Sequence, residues 1–79
     1  MTRGWTQREI EVLAHPEINN REIHVLQLAA DGESCRTSGE MMGLSPFYVK
    51  NLRHSAALKL GADTTTHAVA MALRRHLIV

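Results

Sequence analysis

One cysteine, Cys35, is all the chain has, so no disulfide can form within it and a reducing compartment is expected. There is no apolar run long enough to span a bilayer. Met1-Thr2-Arg3-Gly4-Trp5 leads into charged residues rather than into the apolar centre of a signal peptide. A soluble cytoplasmic protein is the expectation. The period-two alternation of a half-buried strand never lasts, and the β-branched residues are scattered. The five histidines supply no i, i+4 pair and Cys35 has no near partner, so zinc has no pattern to rest on. No Ser/His/Asp or Cys/His set can be assembled, and no glycine loop suits a phosphate. No enzyme activity, cofactor or metal is therefore expected. The last absence is local: no Asp or Glu stands between Glu40 and Asp63.

What remains is 79 residues, enough for one small domain with a modest core. The net charge of +1 says little, but its distribution says more. Residues 1–33 carry three arginines against six acids, net −3, and residues 34–79 carry six bases against two acids, net +4. The basic half is the expected phosphate-facing side. The small total argues against strong non-specific binding to nucleic acid.

Capping signals predict five helices and an all-α fold. Thr6 and Glu9 form a capping box for a helix that Pro16 stops near Ala14. Asn19 and Glu22 repeat the device for a helix ending about Ala30, with Gly32 as its exit. Ser34 caps a helix over 35–42 that Gly43 ends. Ser45, with Pro46 at the first helical position, opens a helix over 46–60 that stops at Gly61. Asp63 or Thr64 caps a fifth, over 65–76. The stretches 8–13 and 21–26 match at five of six positions, read here as two helices built on one cap and one apolar spacing. Trp5 is expected to anchor the N-terminal helix, and Met41 and Met42 to lie in the core.

The segment 32–61 reads as two helices joined by a tight turn, the geometry by which a helix-turn-helix presents its second helix to the DNA major groove. In that helix Val49, Leu52, Ala56 and Leu60 form a buried stripe, and Phe47, Lys50, Asn51, His54 and Leu58 fall on the other side. Lys50, Asn51 and His54 cluster in its N-terminal half and are the candidate base contacts: Lys donates to guanine O6 and N7, and Asn pairs with adenine. Ser34, Thr37, Tyr48, Arg53 and Lys59, at or beside helix ends, are the candidate phosphate contacts. The alternatives stay open: a solvated polar face for the first set, N-caps for Ser34 and Ser45, and a helix-end charge for Lys59.

Residues 18–79 resemble the LuxR/GerE-type helix-turn-helix domain of bacterial transcription regulators. The resemblance rests on Arg21-Glu22, Val25-Leu26, Ala30, Gly32, Ser34, Glu40, Met42-Gly43-Leu44-Ser45-Pro46, Val49-Lys50, Lys59-Leu60-Gly61 and Ala68-Val69. It implies a four-helix domain, with 35–42 as scaffold helix, 46–60 as recognition helix, 65–76 as a dimer contact, and residues at 50, 51 and 54 against bases. The chain departs from the family where Glu-Ile-Ala is replaced by Thr37-Ser38-Gly39, where His is replaced by Leu52, and where a larger aliphatic is replaced by Ala56. The smaller residues at 38 and 56 leave space for Met41, Met42 or the N-terminal helix to fill.

The expectation is thus a small stand-alone regulator of bacterial or phage type that binds double-stranded DNA as a homodimer and is nucleoid-associated when bound. Residues 1–17 form an extra helix and 18–79 the DNA-binding domain. Val69, Leu73 and Leu77 are expected in the domain's own core, with Ala68, Met71, Ala72 and Arg75 at the dimer interface. An alternative is a protein-interaction module that binds another regulator or RNA polymerase through its acidic N-terminal face. A fourth-region sigma-factor domain has a similar corner, but the Lys59-Leu60-Gly61 ending speaks against it. No membrane partner is expected.

Overall fold

The computed structural model describes residues 17–79, so the expected helix over 6–14 and the role of Trp5 lie outside the described residues. Four helices follow one another: α1 (Asn20–Ala30), α2 (Cys35–Met42), α3 (Pro46–Leu60) and α4 (Thr65–Arg74). Each starts where a side-chain oxygen accepts the backbone N–H three residues on. Asn19 takes Glu22, Ser34 takes Thr37, Ser45 takes Tyr48, and Thr64 takes His67. This satisfies donors that the first turn leaves without a partner. Gly43 and Gly61, at φ 71° and 72°, end α2 and α3 in the left-handed conformation that costs glycine least.

α1 and α3 each touch all the other helices, while α2 and α4 do not touch each other. The core is accordingly divided. Val25, Val49 and Leu52 are buried where α2 meets the first half of α3, with Cys35, Met42 and Leu44 packed around them. Leu26, Ala56, Ala57, Leu60, Ala68, Ala72 and Ile78 are buried where α4 meets the second half. All four residues of the predicted α3 stripe are inside.

Three expectations are corrected. The fifth predicted helix ends at Arg74 rather than at 76, because His76 turns left-handed at φ 59°. The chain beyond it folds back, burying Ile78 and pairing the Gln27 amide with the backbone of Val79. Gln27 Nε2 donates to the Val79 carbonyl at 2.8 Å, and the Val79 N–H donates to Gln27 Oε1 at 2.9 Å. Secondly, α4 is rotated from the expected phase. Ala68 and Ala72 are fully buried, Val69 and Leu77 are half-buried, and Leu73 is exposed. Small residues on α4 meet Ala56 and Ala57 on α3, so the two backbones can pack closely on that side.

The third correction is Met41, which is 60% exposed and fills no gap. The inner side of α2 is formed by Cys35, Ser38, Gly39 and Met42, and Met41 lies outside it. Ser38 is fully buried beside Arg53, whose Nη2 lies 3.5 Å from the Ser38 hydroxyl. Gly39 allows the tight turn into α3. Its carbonyl accepts the Leu44 N–H at 2.8 Å, and a Cβ at 39 would collide with the Leu44 carbonyl oxygen.

Candidate nucleic-acid interface

The α2–turn–α3 corner spans three residues, Gly43, Leu44 and Ser45, between the two helices. Because Val49, Leu52, Ala56 and Leu60 face inward, the helical period sets the opposite face of α3 toward solvent. Lys50 and His54 are exposed there and Asn51 is half-buried, so the three candidate base contacts share one face in the first half of α3. Phe47, one helical turn before Lys50 and Asn51, is 74% exposed. The face carries cationic, amide, imidazole and aromatic groups and no carboxylate, since α3 contains neither Asp nor Glu.

At its N-terminal end α3 is tied to α1. The Tyr48 hydroxyl accepts from Arg21 Nη1 at 3.3 Å, and the guanidinium carbon lies 5.9 Å from the Tyr48 ring centre. Both residues are exposed, so this pair sets a cation beside the start of the helix. Tyr48 was expected at the helix end; its partner was missed, because nothing in the sequence links positions 27 residues apart. Ser34 and Thr37 stand at the start of α2, where Ser34 Oγ accepts the Thr37 N–H and donates to Thr37 Oγ1, both at 3.1 Å. Their structural role as a cap is thus satisfied, and the exposed Ser34 hydroxyl remains at a helix N-terminus.

Two expected phosphate contacts are committed inside the domain. The Lys59 ammonium donates to Glu22 Oε1 at 2.8 Å and to the Glu17 carbonyl at 3.0 Å, and its side chain is 8% exposed. Its ammonium is thus engaged within the domain rather than turned to solvent. Arg53 points inward as well: its Nη2 donates to the Glu33 carbonyl at 2.8 Å, and its buried Nε has no hydrogen-bond partner among the described residues. It also borders an open hollow with Ala29, Ala30, Thr65, Thr66 and Val69.

The expected dimer residues divide in the same way. Ala68 and Ala72 are fully buried and Met71 packs against the core, which leaves Arg75 exposed at the end of α4. Leu73, 44% exposed, is the large apolar residue that α4 presents outward. Among the described residues no group of three or more His, Cys, Asp or Glu side chains is placed to hold a metal ion. No helix among them is long and apolar enough to cross a membrane.

Comparison with known proteins agrees with this geometry. Residues 17–72 match the GerE family model, described as bacterial regulatory proteins, luxR family. The transcriptional activator protein BjaR1 of Bradyrhizobium diazoefficiens is 34% identical over 74 residues. The match covers 91% of this chain and 31% of that protein, so the chain spans about a third of its relative's length. No solved structure matches the chain.

Proposed function

Since the chain belongs to the luxR family of bacterial regulatory proteins, we propose that its helix-turn-helix reads double-stranded DNA with α3 in the major groove and so regulates transcription. The observation that carries this reading is the division of α3. Four apolar residues hold it to the body, and Lys50, Asn51 and His54 share the opposite, acid-free face. Lys50 donates to guanine, Asn51 pairs with adenine, and His54 contacts the next base along the groove.

The phosphate contacts in this reading are Ser34, Thr37, Tyr48 and, newly, Arg21. Arg21 takes the part first expected of Lys59, because its guanidinium is exposed beside the start of α3 and Lys59 is enclosed. Phosphate contacts at that point set the helix's register on the duplex. A DNA partner is consistent with action in the cytoplasm, at the nucleoid. The name of the relative, a transcriptional activator, supports a role in transcription.

The reading includes a homodimer through the outer face of α4, around Leu73 and Arg75. A two-fold contact there would offer two copies of α3 to successive major grooves, about 34 Å apart, and favour an inverted repeat as target. A second reading is a protein-interaction module that binds another regulator or RNA polymerase, and the exposure of Met41 favours it. A gel shift at two salt concentrations separates the two. A DNA reader binds and loses affinity steeply as salt rises, whereas the interaction module forms no DNA complex at either concentration.

A further inference from the structure

Phe47 is used neither by the core nor by the candidate base contacts. It is 74% exposed, although a phenylalanine gains most from burial. Its neighbour Tyr48 is engaged at both ends: the Tyr48 N–H goes to Ser45 Oγ at 3.1 Å and the hydroxyl accepts from Arg21. The Phe47 ring carries no hydrogen-bonding group, so no such tie is open to its side chain. Phe47 occupies the second position of α3, directly after Pro46. Residues 47, 50, 51 and 54 follow one another at three-, one- and three-residue steps, so Phe47 begins the stripe that Lys50, Asn51 and His54 continue.

We propose that Phe47 is a specificity-determining residue that reads the 5-methyl group of a thymine in the major groove. The inference rests on the DNA-reading role of α3. The N-terminal turn of a recognition helix lies against base edges, and an apolar side chain there has one apolar feature to meet, the thymine methyl. Cytosine carries only a hydrogen where thymine carries the methyl, and the purines present mainly donors and acceptors in that groove, to which a hydrocarbon ring offers at most weak contacts. The ring thereby adds a fourth base to a face whose other members read by hydrogen bonding. Exposure in the free protein is the cost of a contact made only on DNA.

The test removes one methyl at a time. A binding site is selected from a random duplex pool with the wild-type protein, and each thymine in it is then replaced by uracil. Affinity is measured by fluorescence anisotropy at one salt concentration, for the wild type and for Phe47→Ala. One uracil substitution should weaken the wild type about three- to fivefold, the effect of losing one buried methyl, and leave Phe47→Ala unaffected. Circular dichroism should show the variant folded, since the ring contributes little to the core. If the wild type selects DNA but every uracil substitution acts alike on both proteins, the thymine-reading role is overturned and DNA binding stands. That result, with Phe47→Ala unaltered in DNA affinity, would make the exposed ring a protein-docking residue instead. If the wild type selects no DNA at all, both readings fall.

Discussion

Glu22 and Lys59 stand 37 residues apart in the sequence and 2.8 Å apart in space, with side chains 2% and 8% exposed. The same Glu22 oxygen accepts the Asn19 backbone N–H, which in turn closes the cap of α1. One carboxylate therefore starts the first helix and holds the last turn of the third. Removing one partner of an enclosed pair leaves the other charge uncompensated, which outweighs the modest net gain of forming the pair.

Glu22→Gln keeps an oxygen for Asn19 and removes the charge that Lys59 faces, so stability should fall by about 2–4 kcal/mol, read as a lower urea midpoint. Lys59→Ala should also destabilise the domain, while the salt dependence of DNA binding stays as in the wild type. A salt slope flattened by about one unit in Lys59→Ala, with unchanged stability, would return Lys59 to the phosphate contacts.

Gly39→Ala places a methyl against the Leu44 carbonyl at the turn between α2 and α3. The backbone must shift, and the expected loss is about 1–3 kcal/mol in thermal or urea unfolding. Any displacement of α3 should appear as weaker DNA binding as well. An unchanged unfolding curve would mean that the corner yields freely.

Lys50→Ala and Asn51→Ala should each weaken binding to a selected site by about 1–3 kcal/mol and relax the base preference at one position. Arg21→Ala should weaken binding to all sequences alike and flatten the salt slope by about one unit. Selected-site binding that survives the Lys50/Asn51 double substitution would remove α3 as the reading element.

Leu73→Glu sets two like charges together across a two-fold axis on the outer face of α4 and should dissociate a dimer without unfolding the domain. Ala72→Glu instead forces a carboxylate into a fully buried position and should unfold it. Analytical ultracentrifugation together with circular dichroism distinguishes the two effects. A protein that sediments as a monomer at high micromolar concentration before any substitution would refute the dimer.

The starts of the four described helices were legible because caps are local chemistry. Asn19, Ser34, Ser45 and Thr64 each act through a backbone N–H only three residues away, and the glycine stops at 43 and 61 follow from conformation alone. The inward face of α3 was legible too, since its apolar residues recur at helical spacing. The phase of α4 was not. Hydrophobicity favours Val69 and Leu73 as the core side, whereas the small facing residues Ala56 and Ala57 favour a close approach by Ala68 and Ala72. That preference belongs to a pair of helices and cannot be read from one. The same limit hid Lys59 behind Glu22, and Arg21 beside Tyr48.

The separation of α2 from α4 has a mechanical consequence. With no contact between them, a load applied to the outer side of α4 has no direct path to the scaffold helix and, among the described helices, reaches Lys50 through α1 or along α3. Tilting α3 carries Lys50, Asn51 and His54 together, with their mutual spacing preserved. A partner at α4 would thus re-aim the reading face as one body and leave the order of its residues along the groove unchanged.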